Sequence, residues 1–312
     1  LSTKRMKLIL LLVIIMWGSN FVVYKILLEN FPFWTLVFSR NFFAALALVW
    51  LVRKFLHIKP RNKKLWGCVL GATLLGVFIN NVLFQYGLQY TLATNASLIM
   101  GLTPLTTALI SYLVFHVPLH RKQILGVFLG FFGVFLIVMK GSLQNLLEFS
   151  FNIGDLFIVG TLLFFSLSFI FVKKATDTMF PAEIITLYGY TITSICLIPM
   201  VFWEQTTMGW GELPTGVIFW IMLLYVGIFP TGIGTLLWNR GISILGPSQA
   251  AIFMNGVPLV AAVASIWVLG EPILWFHIIG FLFIATGVIL GSQNNESVVE
   301  KKNEDKAASV SI

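Results

Sequence analysis

The sequence predicts an all-α polytopic membrane protein, with ten transmembrane helices arranged as two inverted five-helix repeats. Three observations predict it. The 312-residue chain is 58% hydrophobic and only 10% charged, whereas soluble domains are about a quarter charged. It holds ten apolar runs near the roughly 20 residues that a span requires. A shift of 154 positions lays the segment from Leu83 to Leu136 on Leu237 to Leu290 without a gap.

The repeat is the most informative of the three. Its matched positions include Gly87 and Gly241, Ala96 and Ala250, Met100 and Met254, Pro104 and Pro258, Pro118 and Pro272, Gly126 and Gly280, and Gly133 and Gly287. Leucine-rich helices match one another anywhere, but shared glycine and proline positions do not. Each half holds an odd number of spans, so the halves lie in the membrane with opposite orientation. The first repeat is read as residues 6–140 and the second as 153–291. A polar linker at 141–152 joins them, and a charged tail at 292–312, poor in aromatics, is expected to be disordered. Inverted repeats of this kind are a hallmark of secondary transporters.

The spans fall, in order, at about 6–28, 34–52, 66–86, 92–115, 123–140, 153–172, 183–203, 216–238, 247–269 and 273–291. The first follows Lys4, Arg5 and Lys7. It is too long for a signal peptide and lacks a small-residue cleavage site before Lys25, so it reads as a membrane helix. Cys68 and Cys196 fall inside spans 3 and 7 without pairing or metal-ligand spacing. Gly126, Gly130 and Gly133 allow span 5 to pack closely on a neighbour, either within the scaffold or at a dimer face. The shorter alternating segments of a β-barrel are absent.

Charge sets the orientation. Seventeen of the 20 Lys and Arg residues fall in the loops and termini of one side, Lys140 alone falls on the other, and Lys25 and Arg40 lie within spans. The positive-inside rule then places both termini in the cytoplasm of what reads as a bacterial plasma membrane. It also accounts for the net charge of +8 without nucleic acid as a partner, since these residues meet anionic headgroups.

Residues in several spans together resemble the drug/metabolite transporter superfamily, with two tandem EamA-type domains. They are Trp17-Gly18-Ser19-Asn20-Phe21 in span 1, Ala93 to Ile99 leading to Pro104 in span 4, Gly246 to Ala251 leading to Pro258, and Leu269-Gly270-Glu271-Pro272. One departure is visible: the first-half counterpart of Gly270-Glu271-Pro272 is His116-Val117-Pro118, without the acidic residue. The resemblance implies alternating access around a central cavity, with spans 1, 3, 4, 6, 8 and 9 around it and spans 5 and 10 at the periphery or at a subunit contact, as in a homodimer. It implies a small-molecule substrate but does not choose among amino acids, purines, drugs, sugars and phosphorylated sugars.

A polar residue inside the bilayer must face water, protein or a partner. The candidate cavity residues are therefore Trp17, Asn20, Asn81, Gln85, Asn95, Trp238 and Asn255; for the carboxamides, an interhelical bond without substrate contact is the alternative. Pro104 and Pro258 are repeat-equivalent hinge candidates, a fixed kink being the alternative. Lys25 and Arg40 lie toward the outer ends of their spans. They read either as snorkelling side chains, with Glu29 available to Lys25, or as an outer-mouth site for a carboxylate substrate. No Asp or Glu sits at mid-span, and Glu271 reads as a helix-end partner for a basic residue or for backbone N–H groups.

His57, His116, His120 and His277 show no metal spacing, and no phosphate loop or catalytic triad order is present. No cofactor, metal or catalytic residue is expected. An intramembrane enzyme would need Asp, His or Cys clustered at depth. The leading expectation is export of an amino acid or similar small metabolite. Uptake of a sugar or nucleoside, or drug efflux, is the alternative.

Overall fold

The computed structural model describes residues 3–115, 121–142, 152–208 and 213–292, and all regular structure among them is helical. The first helix, α1 (Thr3–Asn30), stops ahead of Pro32, which restricts the residue before it and cannot donate an N–H. α2 (Phe33–Leu51) starts directly after that proline. α3 (Lys63–Thr73) is capped by Asn62, whose side chain accepts the Leu65 N–H at 2.8 Å. It continues through a π-helical stretch, Leu74–Ile79, into α4 (Asn80–Tyr90). Extended Thr91 and Leu92 reverse the chain into α5 (Ala93–Met100), and α6 (Thr103–Phe115) follows at a bend of 40°. α7 (Arg121–Val138) ends the first half.

The second half repeats these irregularities. α8 (Ile153–Thr176) is capped by Asn152, and α9 (Ala182–Met208) carries Pro199 in its interior. α10 (Val217–Val226) passes through the π-helical stretch Gly227–Gly234 into α11 (Thr235–Leu245). Gly246, at φ 86°, makes the reversal that a side chain would oppose. Pro247 then opens α12 (Pro247–Ile252) at a position where its missing N–H costs nothing. A 3₁₀ stretch, Phe253–Gly256, leads into α13 (Val257–Ala264), a π-helical stretch Ser265–Leu269 follows, and α14 (Trp275–Ser292) closes the fold.

Seven of the described helices are long and apolar enough to cross a membrane, or eight if the bent α5–α6 pair is one span. The fifth and tenth apolar runs form shorter helices, Ile124–Val138 and Trp275–Leu290. Helix length thus supports fewer full spans than the ten expected from hydropathy. The segment 143–151 of the expected linker and the tail from 293 lie outside the described residues. So do the His116-Val117-Pro118 counterpart, His120 and Trp210.

Large apolar side chains cover much of the outer surface: Phe128 is 71% and Trp267 85% exposed. Lipid, not water, suits such a surface. α8 packs against α3 and α4, and α1 against α11 and α13. α7 and α14 lie backbone to backbone. A Cβ added at Gly133 would stand 2.6 Å from the Gly280 carbonyl oxygen, and one at Gly287 would stand 2.5 Å from that of Gly126. The close-packing face of α7 is therefore used within the chain.

Candidate functional site

The interior polar groups converge beside the two long π-helical stretches, where shifted hydrogen bonding re-aims side chains. A cavity of about 80 Å³ lies there. A water needs about 10–15 Å³ of such space, so the cavity has room for roughly five to eight waters or a small solute. Trp17, Asn20 and Phe21 of α1 line it, with Arg40 of α2 and Asn80, Asn81 and Phe84 of α4. Thr161 and Phe165 of α8, Tyr190 of α9, and Pro230 and Thr235 complete most of the wall.

Most of these polar groups are tied across helices. Trp17 Nε1 donates to the Pro230 carbonyl at 2.9 Å, and Asn81 Nδ2 donates to Asn41 Oδ1 at 3.0 Å. The Tyr190 and Thr235 hydroxyls share a hydrogen bond of 2.7 Å. Arg40 donates through Nε to Thr231 Oγ1 at 2.7 Å, and its guanidinium carbon lies 4.8 Å from the Tyr24 ring centre and 5.9 Å from that of Phe84. Two of the residues that line it each carry a buried polar atom without a hydrogen-bond partner: Asn20 Oδ1 and Arg40 Nη1.

The structure brings Trp17, Asn20, Asn81 and Arg40 together at this cavity. Arg40 reads from the sequence as a snorkelling side chain or an outer-mouth group. Because α2 begins at Phe33, Arg40 stands two turns inside its helix and is 8% exposed, on the cavity wall. The cavity also draws on spans 2 and 7, through Arg40 and Tyr190, beyond the six spans expected.

The other candidates lie elsewhere. Trp238 is fully buried behind Trp17, with ring centres 4.9 Å apart, and Gln85 donates to the Asn81 carbonyl of its own helix. Asn255 stands on the 3₁₀ stretch, where its Oδ1 is buried without a partner. Pro104 and Pro258 each occupy the second position of a helix that follows a break, so they start α6 and α13 rather than bend them from within. Lys25 donates to the carbonyls of Leu88, at 3.3 Å, and Thr91, which closes the C-terminus of α4.

Asn95 belongs to a second buried cluster. Thr91 Oγ1 donates to Asp155, and Asn95 Nδ2 lies 3.4 Å from both Asp155 oxygens. Asn95 Oδ1 meets His277 Nε2 at 2.8 Å, while His277 Nδ1 accepts the Leu274 N–H at 3.1 Å. That acceptor role places the imidazole proton on Nε2, where it is donated to Asn95. Beside this chain, Glu271 accepts the Ala93 and Thr94 N–H groups at 2.9 and 3.0 Å and the Thr94 hydroxyl at 2.8 Å. Glu204 does the same for Trp34, Thr35 and the Thr35 hydroxyl.

Sequence reasoning anticipated the helix-end role of Glu271. It missed Asp155, Glu204 and His277. Asp155 in the first turn of α8, three residues after the Asn152 cap, was the readable signal. Position along a span does not reveal that such residues are buried, and Asp155 is fully so.

At the opposite, basic end, Arg240 binds Glu183 Oε1 at 2.9 and 2.5 Å. A groove of about 530 Å³ there is lined by Lys59, Arg61, Lys64 and Lys174, with Asp177 held by Lys173 at 2.6 Å.

The Trp17–Pro230 bond ties α1 to the broken helix of the second half, and Trp17→Phe tests it. The ring contact with Trp238 remains while one interhelical donor is lost, a change worth about 1 kcal/mol. Thermal unfolding of purified protein is expected to show a Tm lower by about 2–4 °C. An unchanged Tm would mean that the bond contributes nothing.

The family profile of the EamA-like transporters matches this chain twice, over residues 4–139 and 152–292. The chain belongs to the EamA-like transporter family. This EamA protein is therefore a multi-pass membrane transporter. It is 34% identical over 228 residues to the uncharacterized transporter YyaM of Bacillus subtilis (strain 168), a match that spans 72% of each chain. It is 27% identical over 312 residues to the uncharacterized transporter YvbV of the same organism, covering 100% of this EamA chain and 97% of that relative. A solved crystal structure superposes with a TM-score of 0.65 at 16% identity, covering 93% of this chain and 98% of the other. At that identity the likeness bears on the fold alone.

Proposed function

We propose that this EamA protein is a ten-span carrier built of two inverted five-helix repeats. It exports an amino acid or similar small metabolite by alternating access through the cavity at Asn20, Asn81 and Trp17. The observation that carries this reading is the cavity itself, a pocket lined by polar residues and set among broken helices from both halves of a chain whose outer surface suits lipid.

Contact symmetry supports the inverted arrangement. The 154-residue shift pairs Gly126 with Gly280 and Gly133 with Gly287, and the observed contacts are Gly133 on Gly280 and Gly287 on Gly126. Exchanging the halves turns one contact into the other. The same shift carries the π-helical stretch Leu74–Ile79 into Gly227–Gly234, and the break before α6 onto the 3₁₀ stretch before α13. Pro104 and Pro258 then begin the two segments that move relative to the helices before them. Gln85 and Trp238 back the substrate-facing wall, and Asn255 lies beside a hinge. Asn95 and Lys25 belong to the cluster that closes the outer side. Both termini lie in the cytoplasm, at the basic end.

Purified protein in proteoliposomes, given a labelled panel of amino acids and metabolites with and without a proton gradient, is the test. Saturable movement of one solute class is expected, and its response to the gradient reports coupling. Preferential uptake of a sugar or nucleoside would replace the export reading. Movement of no panel member or drug-like solute by folded protein would overturn it.

A further inference from the structure

We infer that the substrate is bound through a single carboxylate, and that Arg40 holds that group. The inference rests on the transport reading of the cavity and names its substrate class. A buried guanidinium is costly unless an anion faces it. Neither the Lys173–Asp177 nor the Arg240–Glu183 ion pair involves Arg40. Thr231 occupies Nε, and the Tyr24 and Phe84 rings lie against the cation. Nη1, buried and unpartnered, belongs to the outer edge of the guanidinium, which matches the two oxygens of a carboxylate. Among the described residues, Arg40 is the one charged side chain on the cavity wall. One cation balances one carboxylate and leaves a dianionic phosphate half-neutralised. Phe21, Phe84 and Phe165 offer the remaining wall to an apolar or aromatic tail.

A second observation points the same way. Successive positions along the α3–α4 helix line the basic groove, a small void and the cavity that Arg40 also lines. Leu65 and Cys68 line the groove, Ala72 and Gly76 line a small void of about 20 Å³, and Gly76 and Asn80 line the cavity. These positions recur at helical spacing. Lys59, Arg61 and Lys64 at the mouth concentrate anions, and the Asp177 on the same rim is balanced by Lys173.

The test is ligand-dependent thermal stabilisation of the full chain in detergent, with four probes: benzoate, phenylalanine, phenylalaninamide and phenyl phosphate. Both carboxylates, or one of them, are expected to stabilise the wild type at concentrations where the amide and the phosphate do not. Stabilisation by benzoate and phenylalanine alike means that the carboxylate suffices. Stabilisation by phenylalanine alone adds a requirement for the ammonium, for which Asn20 Oδ1 is the free acceptor. Arg40→Met is expected to weaken carboxylate binding about 10- to 100-fold, the range of a lost charge-assisted hydrogen bond, and Arg40→Lys to restore part of it. Binding by no probe, equal binding of acid and amide, stronger binding of the phosphate, or wild-type affinity in Arg40→Met would overturn the inference. If the Arg40 variants do not fold, the wild-type comparison of acid with amide still decides it. Saturable transport of a solute that carries no carboxylate would sink the carboxylate site and leave the transport reading standing. Carboxylate binding without movement across a bilayer would do the reverse.

Discussion

Gly287→Leu is expected to abolish recovery of folded protein. The Cβ of any residue at this position would lie 2.5 Å from the Gly126 carbonyl oxygen and 2.9 Å from the Gly130 backbone nitrogen. Both obstacles are main chain on α7, so no rotamer change relieves them and the helices must separate. In lipid, helix association depends on close packing rather than on apolar burial. Forced separation therefore removes the contact that holds the fifth and tenth apolar helices together. Overpacking of this kind costs about 3 kcal/mol or more. Gly287→Ala carries the same clash with less bulk and is expected to give a partial loss. Gly67→Leu, where an added Cβ meets nothing within 4 Å, is the matched control for extra bulk. Yield and monodispersity after detergent extraction measure the effect, and wild-type behaviour of Gly287→Leu would disprove the packing geometry.

The second large effect is expected for Glu271→Ala. This carboxylate satisfies two backbone N–H groups and a hydroxyl at the start of α5. Truncation leaves three donors unsatisfied in a site only 7% exposed at Glu271, at about 1 kcal/mol or more each, and removes the negative charge at a helix N-terminus. A loss of about 3 kcal/mol is expected, seen as a fall of about 6–12 °C in Tm. Glu271→Gln separates shape from charge. Its carboxamide keeps one acceptor oxygen but turns an NH2 toward groups that are themselves donors. An intermediate Tm is therefore expected, and equal Tm values for Gln and wild type would show that charge is immaterial at this cap.

The sequence made most of the architecture legible, because lipid imposes strong rules on a chain. Apolar runs and the glycine and proline landmarks of the repeat act through local chemistry that can be read residue by residue. Helix-end behaviour was legible too: Gly246-Pro247 marks a reversal, and Glu271 ahead of Pro272 marks a helix-end carboxylate. The cavity was legible in part. Trp17, Asn20 and Asn81 stand out as polar or amphipathic groups inside apolar runs. Gln85 and Trp238 carry the same signal, yet they face a neighbour or their own helix. The signal reports a polar side chain in a span and not the direction in which it points.

Sequence alone determined that this is a multi-span helical membrane protein with a doubled plan, because hydropathy and repeat spacing are properties of the chain taken in order. Tertiary structure decided which polar groups share a site. It placed Arg40 on the cavity wall, joined Asp155, Asn95 and His277 into one chain of hydrogen bonds, and set Glu204 and Glu271 on the ends of helices about 170 to 180 residues away. The physical reason lies in the low dielectric around them. A buried charge or carboxamide must find its partner wherever the fold brings one near, and in this chain those partners come from distant helices.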